Sequence, residues 1–391
     1  MTTFIAIEII LFSVIGVCFL VQLLYYLLYF AKPVRYGKKV LKRSETEDVT
    51  LKNANNDLPG ISVIVCAKNE SENLKQFLPT LLTQDYPQYE VIVVNDGSTD
   101  TSDEDLKMLA GQYPHLYSTY IPENAKYLSR KKLAITIGLK AAKYPYLLFI
   151  EPNCFPVSKN WIKLMARHFN NQTDIVLGFS AFFSKNGFWS KYASYDNLFS
   201  GLKYLSFALS KKPYKGIGRN MAYKKELYFS SKGFATHLNL YPGEDDLFVN
   251  QCANQTNTAV EISPESITAA NIADFGYWKE TKLCQFTTQR YYRSGPIAFW
   301  NLELFSRIFF YLSFIALIVF GWPDWKFPVI AGVFYFLRLG IQLWVIHQSS
   351  AFWAIEKFHL TLPWFDFFQP VVDLYFYIAR IFKGKKDYTW R

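Results

Sequence analysis

Apolar residues fall along this chain in two kinds of pattern. Residues 3–30, 304–322 and 327–346 are apolar nearly throughout, and each block has the roughly 20 residues a helix needs to cross a bilayer. Between them lies a stretch of ordinary soluble composition, where short apolar runs alternate with amphipathic ones. ISVIVC (61–66) is continuous and rich in β-branched residues, as suits a strand covered on both faces. SENLKQFLPTLLTQ follows, with Leu74, Phe77, Leu78, Leu81 and Leu82 at the i, i+3, i+4, i+7, i+8 spacing of one helix face. A strand over 89–94 runs into NDGSTD, and an acidic helix and the strand LYSTYIP come next. A basic helix, SRKKLAITIGLKAAKY, then leads into the strand LLFI (147–150). Strands alternating with helices in this way predict an α/β, Rossmann-like sheet.

The apolar blocks bear on location. Residues 3–30 are too long for a cleaved signal peptide, have no basic residues before them and no small-residue site after them, so an anchor is expected. Lys32, Arg35, Lys38, Lys39, Lys42 and Arg43 follow directly. By the positive-inside rule this predicts a multi-pass protein of the inner (cytoplasmic) membrane, amino terminus outside and soluble region in the cytoplasm. KGKK (383–386) keeps the tail on that side if residues 304–346 form one hairpin. Residues 360–382 are apolar but carry Pro363, Asp366, Pro370 and Asp373, the pattern of an interfacial or re-entrant helix. The expected organisation is an anchor (1–31), a basic juxtamembrane linker (32–60), a soluble domain (61–295) and a membrane region (296–391).

The formal net charge of +10 over 391 residues is concentrated beside the apolar blocks, which suits anionic membrane lipids. No basic-aromatic module points to nucleic acid, which is not an expected partner. Cysteines 18, 66, 154, 252 and 284 form no CxxC and read as reduced thiols, not as a disulfide framework or zinc site.

Ligands of such sheets bind at the carboxyl ends of the strands. Three polar turns lie there: AKNE (67–70), NDGSTD (95–100) and EPNC (151–154). Neither GxGxxG nor GxxxxGK[ST] is present, which disfavours dinucleotide and P-loop binding. Taken in order, ISVIVCAKNESENL, VVNDGSTD, RKKLAIT and GEDDLF (243–248) resemble the motifs of family 2 glycosyltransferases over residues 61–295. The resemblance implies the GT-A fold, a mixed sheet flanked by helices, here with transmembrane helices at both ends. It places Cys66, Ala67 and Glu70 beside the nucleotide, Asp96 on the uracil or ribose, and Lys131 near the base and ribose. Asp245 would be the catalytic base, with Glu244 beside it on the acceptor or diphosphate side. KGIGRNMAY (215–223) is similar to the acceptor-side loop, with Arg219 and Asn220 as polar contacts. A cytoplasmic GT-A domain, nucleotide-sugar donor and glycan or lipid-linked acceptor follow from the same likeness.

The chemistry gives these residues reasons. A diphosphate leaving group gains charge as the glycosidic bond breaks, and Mg2+ or Mn2+ held by oxygen ligands stabilises it. An inverting transfer needs one base at the acceptor hydroxyl. Two departures from the family pattern stand out. Glu151-Pro152-Asn153 replaces the Asp-x-Asp metal turn, losing one negative charge, so weaker metal binding is expected of Glu151 and Asn153. Arg290-Tyr291 stands where the family has Arg-Trp, with Thr287 in its glutamine position. The arginine retains the ability to pair with phosphate oxygens, while the lost residues weaken a processive reading. Trp189, Tyr192, Phe199 and Leu202 at helical spacing suit a helix on the membrane surface or one in the core. The leading expectation is an inverting transferase of cell-envelope glycan synthesis with a UDP-linked donor; the alternatives are a processive polysaccharide synthase and a non-catalytic family member.

Overall fold

A computed structural model describes residues 2–47, 58–122, 129–183, 187–271, 275–321 and 324–382. Helix α1 (Thr2–Leu24) passes through a wide π-type turn over Tyr25–Phe30 into α2 (Lys32–Glu47), so the basic segment after the first apolar block is helical over those residues.

The soluble domain then alternates as the sequence pattern predicts. β1 (Ile61–Ala67), α3 (Ser71–Leu82), β2 (Tyr89–Asn95), α4 (Ser102–Gln112), β3 (Leu116–Tyr120), α5 (Arg130–Ala141) and β4 (Tyr146–Phe149) build a parallel half-sheet in the order β3-β2-β1-β4. All seven β1 residues are buried, which is why the run is unbroken by polar positions. Leu74, Phe77, Leu78, Leu81 and Leu82 are the buried face of α3. Asp103, Glu104 and Asp105 occupy the first turn of α4, where the helix dipole favours them.

Next come β5 (Cys154–Pro156), α6 (Trp161–Ala166), β6 (Ile175–Leu177), β7 (Ser180–Phe183), α7 (Phe188–Leu209), β8 (Met221–Lys224), α8 (Lys225–Ser230), α9 (Asp246–Cys252), β9 (Thr258–Val260), β10 (Thr268–Asn271) and α10 (Phe275–Gln289). β8 is antiparallel to both β4 and β6, and β6 is parallel to β9, so one mixed seven-stranded sheet reads β3-β2-β1-β4-β8-β6-β9. A three-stranded sheet, β5-β10-β7, lies beside it. Tyr192, Phe199 and Leu202 are buried while Trp189 is exposed. Of the two readings of α7, the core helix is the one found.

Register sets the site. Ala67 pairs with Asn95, so β1 and β2 end level and their turns stand side by side. Phe149 pairs with Ile64 on one side and with Met221, antiparallel, on the other. Continuing both ladders by two residues brings Glu151 level with Cys66 and opposite Arg219.

α11 (Ser294–Phe320), α12 (Lys326–Phe352) and α13 (Leu362–Phe382) complete the described chain. Three helical segments are long and apolar enough to cross a membrane: Ile9–Arg43, Ser294–Phe320 and Lys326–Phe352. α13 turns Trp364, Phe368, Val371, Tyr375 and Ile378 outward and buries Phe365, Asp366, Gln369 and Phe376. These helices meet around one carboxylate. Asp366 accepts from Arg338 (2.7 Å), Gln342 (2.8 Å) and Tyr311 (2.5 Å) and lies 3.3 Å from Arg307. Arg338 also donates to Gln22 of α1 at 3.1 Å, and Gln22 to Ser306 of α11 at 2.7 Å. The bundle is joined to the soluble domain where Trp353 donates to the Ile262 carbonyl at 3.0 Å and stacks on Phe179 at 4.3 Å.

Asp366→Ala leaves the buried Arg338 without its carboxylate partner, while Arg307 keeps Glu303, a loss of roughly 3–5 kcal/mol by analogy with other broken buried pairs. The expected outcome is a clearly lower unfolding midpoint of the full chain in detergent, read by differential scanning fluorimetry, with Trp364→Ala on the outward face of α13 as the near-neutral control.

Candidate active site

The first two turns are bound to each other. The Asn69 N–H donates to Ser98 Oγ (2.8 Å), Asn69 Oδ1 accepts from the Thr99 N–H (2.8 Å), and the Ser71 N–H donates to Asp100 (3.0 Å). Gly97 sits at φ 62°, in the left-handed region that the tight NDGSTD turn requires. Asp96 is fully buried at the base of this pair. Arg130 grips it in a fork, with Nη2 at 2.6 Å and Nε at 2.8 Å from Oδ1. Contact between Asp96 and a base or ribose, as the resemblance implies, would need Arg130 to let go. Arg130 is a residue that sequence reasoning passed over; its place beside the strand-end Asp is decided by the packing of α5 on the sheet.

One cleft gathers Cys66, Glu70, Lys131, Glu151, Asn153, Arg219, Glu244 and Asp245 from the expected residues, together with Lys68, Lys215, Tyr277, Glu280 and Thr288. Glu70 accepts from the Asn73 amide at 2.5 Å, and burial raises its pKa. Ala67 corrects the expectation of a nucleotide contact: it is wholly buried and outside the cleft lining, and its carbonyl takes the Asp96 N–H at 2.8 Å, so it holds two of the turns together.

Lys131 is the centre of the cleft's electrostatics. Its Nζ lies 3.1 Å from Glu151 Oε1 and 2.7 Å from Glu244 Oε1. Burial alone would depress its pKa, but Glu244 and Glu151 outweigh that and hold it well above its ordinary value. The same pairs keep both acids ionised: burial works against Glu151, and Lys131 and Arg219 prevail. Glu244 is likewise held low by Lys131. Glu151 Oε2 accepts from the Tyr277 hydroxyl at 3.2 Å, and Asn153 is held by a 3.4 Å bond to the Asn271 carbonyl. Nothing in the local sequence around Tyr277 announces this contact, because α10 reaches the turn only through the tertiary fold.

Asp245 caps α9. Its Oδ1 accepts from the Asp246 N–H at 2.7 Å and its Oδ2 from the Gly218 N–H at 2.8 Å. Gly243 just before it holds φ 104°, and a Cβ there would meet Leu247 at 2.5 Å, so the turn into the acidic motif needs glycine. Burial, then Asp246 and Glu244, push the Asp245 pKa from 3.8 up to about 7. Asp246 behaves differently. It accepts from Tyr292 at 2.5 Å and from Thr288, tying α9 to α10.

The loop before β8 divides. Arg219 is buried and faces the cleft, donating to Asn197 at 3.1 Å with its carbon 4.3 Å from the Phe182 ring centre. Its Nη1 is buried with no hydrogen-bond partner among the described residues. Asn220 corrects the expectation of an acceptor contact. It is fully buried, donates to the Phe179 (2.7 Å) and Ser266 (2.9 Å) carbonyls and accepts from Trp161 (3.0 Å), so its bonding capacity is spent inside the domain. Arg290 and Tyr291 are also misplaced by the sequence reading. Both are exposed, outside the cleft lining, and pair with each other, the guanidinium 4.6 Å from the ring centre. The next residue, Tyr292, is the one that turns inward.

Among the described residues no group of three or more His, Cys, Asp or Glu forms a ready-made metal cage. The donor set at Glu151 and Asn153, one carboxylate and one amide oxygen, nevertheless fits a hard cation that takes its other ligands from a diphosphate and water. The cleft lining carries six carboxylates against four cationic side chains.

The family model "Glycosyl transferase family 2" matches residues 62–230. Among curated relatives, poly-β-1,6-N-acetyl-D-glucosamine synthase of Staphylococcus epidermidis is 26% identical over 136 residues, 35% of this chain and 29% of that protein. The glycosyltransferase AglE of Haloferax volcanii is 30% identical over 109 residues, 27% of this chain and 34% of that one. The chain thus spans about a third or less of the length of these relatives. A solved mannosyltransferase of Pyrobaculum calidifontis, in complex with GDP-Man and Mn2+, superposes with a TM-score of 0.58 at 17% identity, covering 94% of this chain and 99% of that one. At that identity the likeness speaks for the fold alone, and it extends over the terminal helices as well as the domain. The strand order and the three strand-end turns agree with these likenesses: residues 62–230 match the family 2 glycosyltransferase model, and the fold is GT-A.

Proposed function

We propose that the protein is a membrane-anchored inverting glycosyltransferase that moves a sugar from a nucleotide-sugar donor to a cell-envelope glycan or lipid-linked acceptor, its GT-A domain on the cytoplasmic face. The observation that carries this reading is Asp245: a carboxylate held by two main-chain N–H groups in the shared cleft, with its pKa raised to about 7. A base whose pKa lies near the working pH combines ionisation with proton affinity. Asp245 takes the proton from the acceptor hydroxyl as that oxygen attacks the anomeric carbon; the bond to the diphosphate breaks with its electron pair going to the leaving group. Arg219, with an unpartnered Nη1, and Lys131 meet the developing charge. A divalent cation, Mg2+ or Mn2+, held by Glu151 and Asn153 would supply further Lewis-acid stabilisation of that leaving group. Tyr277 and Lys131 fix the Glu151 carboxylate in place. Membrane lipids surround the three long apolar helices in this reading, and the basic residues of α2 set its orientation. Arg290 and Tyr291 lie at the surface, which leaves a processive reading without its expected acceptor-holding pair.

Incubating the detergent-solubilised chain with UDP- and GDP-sugars and Mn2+, and measuring release of the nucleoside diphosphate, tests the reading directly. No release with any donor and acceptor would favour a non-catalytic binding protein. Asp245→Asn is expected to lower kcat by about 10²–10⁴-fold, the usual contribution of a general base, with donor affinity retained. The pH profile of kcat/KM should rise with an inflection near 7, because only ionised Asp245 accepts the proton. Stability should run the opposite way. Folding favours the protonated form of this acid, so its contribution is full below 3.8 and is lost as pH rises through about 7.

Asn153→Asp restores the missing carboxylate and should lower the Mn2+ concentration needed for half-maximal activity, measured by metal titration. Arg219→Ala should cut turnover by an order of magnitude or more, about the worth of one charge-assisted hydrogen bond to a charged group, whereas Arg290→Ala should change it less than about twofold; steady-state kinetics on both variants separates buried from surface arginine.

A further inference from the structure

Residues 238–245 form neither helix nor strand, yet the unbroken run 241–246 lines the cleft and carries Glu244 and Asp245 into it. The first turn of α5 holds this strap. Lys132 is 1% exposed, and its ammonium donates to the carbonyls of His237 (2.7 Å), Leu240 (2.6 Å) and Pro242 (3.1 Å). Ser129 Oγ donates to the Tyr241 carbonyl at 3.2 Å, and Lys131 pairs with Glu244 at 2.7 Å. Past the last clamped carbonyl the chain turns at Gly243, φ 104°, and reaches Asp245 two residues on. A shift of the strap is therefore a shift of the candidate base.

The three bonds of Lys132 match the three hydrogens of an ammonium. A neutral amine has two, and its lone pair would face a carbonyl oxygen, so the clamp is complete only while this lysine is protonated. Its partners are carbonyl dipoles rather than a carboxylate, and burial draws its pKa from 10.5 down to about 8. Glu244, Asp246 and Asp245 pull the other way from the loop into α9 and its first turn. His237, on the strap itself, is kept neutral by burial and by Lys132, its pKa drawn down to about 4. Lys131, beside it on α5, is engaged with Glu151 and Glu244.

We propose that Lys132 is a positioning residue of the transfer: its ammonium clamps the strap over 237–242 onto α5 and thereby sets where Glu244 and Asp245 stand in the cleft. The effect on turnover rests on the transferase reading; the clamp itself does not. Lys132 is outside the cleft lining, so it acts through the strap and takes no part in proton transfer. Turnover then needs Asp245 ionised and Lys132 protonated. The pH profile of kcat rises through about 7 and falls through about 8.

Two measurements on the full chain in detergent test this. Amide hydrogen exchange read by mass spectrometry reports the clamp without any substrate. In Lys132→Met, exchange over 238–245 should accelerate at least about tenfold at neutral pH, while β1 and β2 keep their protection, which excludes misfolding as the cause. Release of nucleoside diphosphate from UDP- and GDP-sugars reports the effect on turnover. Lys132→Met should lower kcat about 10–100-fold, the scale of a small misplacement of a reacting group, and Lys132→Arg should recover part of it. The alkaline fall of the wild type should be missing from Lys132→Arg, because a guanidinium keeps its proton throughout. A lysine that only stabilised the domain would lower the unfolding midpoint and leave that limb in place. The proposal is overturned if 238–245 exchanges at the wild-type rate in Lys132→Met, or if exchange accelerates while kcat and the alkaline limb stay as in the wild type. Should Lys132→Met also loosen β1 and β2, the Lys132→Arg profile decides: an unchanged alkaline limb overturns the proposal. A wild type that releases no nucleoside diphosphate removes the transferase reading, and hydrogen exchange alone then decides the clamp.

Discussion

Lys131 stands between two carboxylates, and much of the site is arranged by that constraint. Glu151 comes from the turn after β4 and Glu244 from the loop into α9, segments far apart in sequence. Partial burial works against the charge of all three groups, with Lys131 and Glu151 still 24% and 25% exposed. Together they stay charged, as buried ions do when paired. Glu244 is pinned by this pair, and its neighbour Asp245 is left with main-chain donors, with no cation in hydrogen-bond contact among the described residues. That difference pushes two adjacent acids in opposite directions: Glu244 is held ionised, and Asp245 is raised into the range where a base can cycle.

The same division of roles runs through the loop before β8 and the end of α10. Arg219 and Asn220 are neighbours, yet the ladder alternates them. One reaches the cleft with a spare donor, and the other is absorbed by Trp161 and two carbonyls in the interior. At 290–292 two residues face water and the third, Tyr292, holds Asp246. Neighbouring residues thus take different roles, and a change at a supporting position acts on catalysis through the placement of the residue it holds.

The long apolar helices are structural partners of the domain. Their buried arginines converge on Asp366, Trp353 inserts against Phe179 beneath the smaller sheet, and Gln369 of α13 reaches Asp196 of α7 at 3.3 Å. Polar groups at this depth are costly unless satisfied, so the network holds the helices in one arrangement relative to the domain.

Local sequence alone determined a good deal. Continuous β-branched runs and a heptad-like leucine face set β1 and α3, since burial on both faces or on one is written in residue order. Uninterrupted apolar length marked the three long helices. Polar turns after strands marked Glu70 and Glu151, because strand ends are where such sheets present side chains; Asp245 was marked only by the likeness of GEDDLF to the family's acidic motif. What local pattern left open was direction and partnership. Whether α7 lies in the core, whether Asp96 meets a ligand or Arg130, which of Arg219 and Asn220 faces the cleft, and that Tyr277 reaches Glu151 all depend on register across strands and on helices brought together from distant positions. A motif names the group that can do the chemistry; the counter-charge, the pKa and the direction of the side chain come from neighbours the linear sequence does not place beside it.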